Sequence, residues 1–132
     1  MKIQIIKEAI GRVGLGQIAK EGFGDMVKAV IDVEKGVMAI GGELHMDELE
    51  LLLEKENSLH QNIWGVNLYP EKSGDDFVEF DSMVNLKPAF GNRTRGVDDI
   101  EIQKKIIEII SNLIKWAVNF CIKIWRGGGG LS

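Results

Sequence analysis

A chain of 132 residues, 45% hydrophobic and 27% charged, has the make-up of one globular domain, large enough for one core and too small for two. Its single cysteine, Cys121, excludes an internal disulfide and a cysteine-based zinc cluster, and fits a reducing, cytoplasmic setting. All 20 acidic residues stand at or before Glu108, leaving Lys115, Lys123 and Arg126 beyond it, and so acidic a body argues against nucleic acid as a partner.

The start "MKIQIIKE" meets a glutamate too early for a secretory signal, and "KIQII" reads as a short strand. "EAIGRVGLGQIAKEGF" sets Ile10, Val13, Ile18 and Ala19 roughly on one helical face. Gly11, Gly14 and Gly16 interrupt it at about 1 kcal/mol each, so a weak helix is expected. Gly14 to Ala19 also match the loose pattern G-x-G-x-x-A. That fingerprint needs a parallel strand-helix-strand unit, whereas a hairpin follows here, so no cofactor is expected.

From Met26 to Glu34, Val27, Ala29, Ile31 and Val33 alternate with Lys28, Asp32 and Glu34, the pattern of a half-buried strand. "EKG" turns the chain and "VMAIGG" returns as its antiparallel partner. A helix follows from about Glu48 to Glu56, with Asp47 as N-cap, Glu50 completing a capping box, and Leu49, Leu52 and Leu53 as its buried stripe. "IWGVNLY", the turn "PEKSGDD" and "FVEFDSMVNL" read as a second hairpin, and "KPAFGNRTRGV" as a loop. Asp98 then caps a long last helix.

In that helix the polar positions 104, 108, 111, 112, 115, 119, 123 and 126 keep to a narrow arc. Running to Arg126, it would measure about 43 Å and overhang a sheet of roughly 20–25 Å. Residues 115–126, an apolar extension, therefore need cover. A second copy of the chain is the expected partner, making a homo-oligomer, with folding back onto the domain or contact with a membrane surface as the alternatives. Residues 127–132, "GGGGLS", read as a flexible tail. The whole is an α+β domain over residues 1–114: a mostly antiparallel sheet of four to five strands in two hairpins, with helices packed on it.

Polar residues left over after capping and core packing mark where a site would be. Glu43 and His45, two apart, share a direction in extended chain; His45 reads first as a hydrogen-bonded strand-end residue, and alternatively either serves as a general base or His45 binds a metal. In the enzyme reading Asp81 would serve as a metal-binding or orienting carboxylate and Arg95 as an anion stabiliser. No spacing supplies a further set of ligands, so no metal is expected. Asn92, Arg93 and Arg95 sit in a glycine-flanked loop and are candidate ligand contacts, unless the arginines pair internally with Asp81, Glu43 or Asp98. Trp64, Val66 and Leu68 read as core, and Asn67 and Tyr69 as lining a pocket with Asp32. The favoured reading is a non-enzymatic binding module for a partner protein or a small anion. The competing one is a small hydrolase or nuclease-like enzyme, which requires Glu43, His45, Asp81 and Arg95 to converge in one cleft.

The strings "GDMVKAVIDVE", "MAIGGELH", "WGVNLYPEKSG", "FVEFDSMVNLKP" and "GNRTRGVDD", in that order, resemble a bacterial family of small proteins known as a domain of unknown function. The resemblance covers about Met1 to Ile114 and implies a small α+β protein with no established activity, substrate or cofactor. The segment after Ile114 does not share it.

Overall fold

The computed structural model describes residues 2–115. Five strands form one antiparallel sheet: β1 (Gln4–Ile6), β3 (Val27–Asp32), β4 (Val37–Ile40), β5 (Ile63–Leu68) and β6 (Val78–Glu79), in the order β1-β4-β3-β5-β6. Two further short strands, β2 (Ile10–Gly11) and β7 (Ile114–Lys115), pair in parallel by themselves. The helices are α1 (Arg12–Glu21), α2 (His45–Glu56) and α3 (Ile100–Leu113). The chain is therefore α+β, as its pattern of elements implies.

Alternation along the strands sorts the core into two layers. Ala29, Ile31, Met38, Ile40, Trp64, Val66 and Leu68 face α1 and α3, meeting Leu15, Ala19, Ile106 and Ile110. Val30, Val37, Ala39 and Ile63 face α2 and meet Leu49 and Leu52. α1 forms despite its glycines because Leu15 and Ala19 are buried against the sheet, and tertiary packing outweighs propensity.

The hairpin of β3 and β4 turns at Gly36, whose φ of 70° suits glycine. Asp32 caps that turn, its Oδ1 accepting from the amides of Glu34 and Lys35 at 2.9 and 3.0 Å. It pairs with Ile63, at the opposite end of the sheet from Asn67, so no pocket joins Asp32 to Asn67 and Tyr69.

Three boundaries differ from the sequence pattern. α2 begins at His45, with Leu44 at its N-cap and Asp47 already inside the first turn. Glu48 takes over the capping, reaching back so that its Oε2 accepts from the Gly42 amide at 2.7 Å, while Leu53 lies exposed. α3 is capped by Asp99, whose carboxylate accepts from the Glu101 amide at 2.8 Å, not by Asp98. It ends at Leu113 after 14 residues, because Ile114 and Lys115 extend to pair with Ile10 and Gly11. A single helix running unbroken to Arg126 is thus corrected. The rest of segment 115–126, and 127–132, lie outside the described residues.

The fourth strand is also shorter than its sequence suggests. After Glu79 the chain leaves the ladder, turns in a short 3₁₀ helix at Met83–Asn85, and lays a side chain where a strand would run. Asn85 Oδ1 accepts from the Gly65 amide at 2.8 Å, and Asn85 Nδ2 donates to the Gly65 carbonyl at 3.0 Å. One buried amide side chain thereby pairs the edge of β5 at this point, as a neighbouring strand would. Gly65 permits the approach: a Cβ there would stand 2.6 Å from Ser82 Oγ and 2.8 Å from Val84 Cγ2.

Candidate functional site

The register of β3, β5 and β6 sets Lys28 opposite Asn67 and Asn67 opposite Glu79. Directly opposed residues share a face, so these three form a polar row across one end of the sheet, on the face that α2 covers. Asn67 Nδ2 and the Tyr69 hydroxyl both donate to Glu79 Oε1, at 2.9 and 2.8 Å. Burial and that carboxylate push the Tyr69 phenol up to about 12.

The first residue of α2 roofs this row. His45 is 8% exposed, with Nε2 2.8 Å from the Val66 carbonyl. A carbonyl only accepts, so Nε2 carries the proton and Nδ1 keeps the lone pair. Burial lowers the imidazole pKa below its usual 6.5 against the pull of the Val66 carbonyl; Lys28 lowers it further, while Asp81 and Asn67 raise it. Arg95 Nε donates to Asp81 Oδ1 at 2.6 Å. His45, Asn67, Tyr69, Glu79, Asp81 and Arg95 therefore form one neighbourhood.

Glu43 is exposed just before α2 and enters none of the hydrogen bonds or ion pairs among the described residues. Asn92 is buried and spent inside its loop. Its Nδ2 donates to the carbonyls of Asn85, Thr94 and Gly96, and its Oδ1 accepts from the Asp98 amide. These bonds make Asn92 a brace of its loop. Arg93 is exposed, and its backbone amide donates to Asp98 Oδ2 at 3.1 Å. Among the described residues no group of three or more His, Cys, Asp or Glu side chains is placed to hold a metal ion.

A second locality went unmarked in the sequence pattern. Leu59, His60, Gln61, Leu86, Lys87, Pro88, Ala89 and Phe90 line an open cleft of about 250 Å³. Its apolar side chains face water: Leu59 is 54% exposed, Leu86 37% and Phe90 62%. Lys87 is only 5% exposed, its Nζ donating to the Val84 carbonyl at 2.8 Å and lying 5.0 Å from the centre of the Trp64 ring. The one available signal was a lone cation in the apolar run "MVNLKPAF".

No helix of the described residues is long and apolar enough to cross a membrane. Neither the curated proteins nor the solved structures compared with the chain contain a significant match. A family model does match, over residues 4–113, which takes in every strand of the main sheet, all three helices and both localities described above. The chain belongs to the family described as "Protein of unknown function (DUF5674)".

Proposed function

We propose that the protein is a non-enzymatic binding module whose ligand lies in the cleft of Leu59, Leu86 and Phe90. The observation that carries this reading is the exposure of three large apolar side chains around one concavity. Water gains nothing from that arrangement, and contiguous apolar surface with a polar rim is the usual form of a recognition site. Elsewhere the fold uses its polar side chains internally, as Asn85 and Asn92 illustrate. Titrating 1-hexanol into isotope-labelled protein and following amide NMR shifts tests the proposal. Shifts should centre on Leu59, His60, Leu86 and Phe90 and vanish in a Leu86→Ser, Phe90→Ser double variant. Shifts that are scattered, or unchanged in the variant, overturn it.

What supports the enzymatic reading is narrower than the meeting of Glu43, His45, Asp81 and Arg95 that it requires: Arg95 bonds Asp81, and the Asp81 charge raises the His45 pKa. There His45 Nδ1 would act as base and Arg95 would hold an anionic substrate. Hydrolysis of p-nitrophenyl acetate and bis-p-nitrophenyl phosphate by the wild type and by His45→Gln decides it. Equal rates end this reading.

A further inference from the structure

Lys87 is a buried cation that the fold leaves without a counter-ion. Among the described residues the ion pairs are Lys7–Glu56, Arg95–Asp81 and Lys104–Glu101, and none involves it. Its ammonium has one carbonyl and the face of one indole for company. A carbonyl and an aromatic ring soften a buried charge without cancelling it. The surroundings matter as well. In an acidic chain of net charge −4, this cleft carries a cation and no carboxylate in its lining.

We infer that the cleft receives a small organic anion, a monocarboxylate with a short apolar body, whose charge is answered by Lys87 and whose body rests on Leu59, Leu86 and Phe90. The inference rests on the binding reading of the same cleft and adds the chemical class of its ligand. A single ammonium matches one negative charge, whereas a dianionic phosphate would bring a second charge against apolar walls. A cleft of about 250 Å³ lies just below the usual range for drug-sized ligands, which favours a compact molecule. Burial lowers the Lys87 amine to about 8, and a bound carboxylate restores its preference for the proton. The Lys87 charge is also felt at His60: burial first, then Lys87, lowers that imidazole below its usual value, leaving a neutral hydrogen-bonding group on the rim.

Hexanoate, 1-hexanol and hexylamine share a body and differ in head group. Each is titrated at pH 7 into the full chain, with amide shifts as one readout and the ¹³Cε titration of Lys87 as another. Hexanoate should bind at least tenfold tighter than hexanol, hexylamine more weakly than hexanol, and the Lys87 midpoint should rise with hexanoate. Lys87→Met should reduce hexanoate to the level of hexanol and leave hexanol unchanged. Replacing a buried charge by an apolar side chain of similar length is often tolerated. Should this variant not fold, the three probes and the Lys87 titration on the wild type still decide the matter. Hexanol binding in the cleft with hexanoate no tighter overturns the anion assignment and spares the binding reading. No probe shifting the cleft overturns both.

Discussion

Glu48 is the most consequential single ionisable group in the fold. It is fully buried, its Oε2 holds the Gly42 amide, and Oε1 has no hydrogen-bond partner among the described residues. Burial raises its pKa from 4.5 to about 9, outweighing the lowering by the Gly42 amide and Lys28, so the folded protein carries this carboxyl protonated at neutral pH. Between those two values the unfolded chain has lost the proton that the folded chain keeps. Stability from this group is therefore fully present below pH 4.5 and drains away as pH rises towards 9. At about 1.4 kcal/mol per unit, the interval from 4.5 to pH 7 corresponds to about 3.5 kcal/mol. Glu48→Gln keeps an acceptor for Gly42 and removes the titration. Urea unfolding of both proteins at pH 5, 6, 7 and 8 should show the variant gaining on the wild type by up to about 1.4 kcal/mol per pH unit. A difference that stays flat across that range would refute a buried protonated carboxyl.

Gly65→Ala forces a methyl against Ser82 and Val84, and should destabilise by about 1–3 kcal/mol or more in chemical denaturation. Asn85→Ala strips partners from both backbone groups of Gly65 and should cost about 3 kcal/mol, with faster amide exchange at Gly65 as its signature. Arg95→Ala, in contrast, removes an ion pair whose side chains are 53% and 44% exposed. Its cost should stay below about 1 kcal/mol and shrink further in high salt.

These contrasts explain what could be read from the chain alone. The β3–β4 hairpin was legible because period-two alternation and a glycine turn are local signals, and β5 with its Trp64, Val66 and Leu68 face for the same reason. The end of α3 was not, since the apolar pattern runs on unbroken past Leu113. What stops it is a two-residue pairing with Ile10 and Gly11, almost the whole chain away. The stretch after Glu79 resisted for another reason. Alongside short turns, its backbone is tied down by the side chains of Asn85, Asn92 and Asp98, and such bonds leave no periodic trace. Among the candidate residues, His45, Asp81 and Arg95 were named from their chemistry, but their neighbourhood comes from the register of β5 and β6. Glu48 sat where a surface acid would be expected to meet the helix dipole, and Lys87 in a loop without pattern. Only coordinates reveal that both are buried.

The amide of Asn85 also bears on how this chain meets other chains. A lateral strand with open N–H and C=O groups is a template on which any extended polypeptide can zip itself, including a misfolded sibling. By spending one side chain on the middle of β5, the protein denies that template to strangers without building another strand. Loss of that single residue would leave a protein that is both weaker and more prone to polymerise.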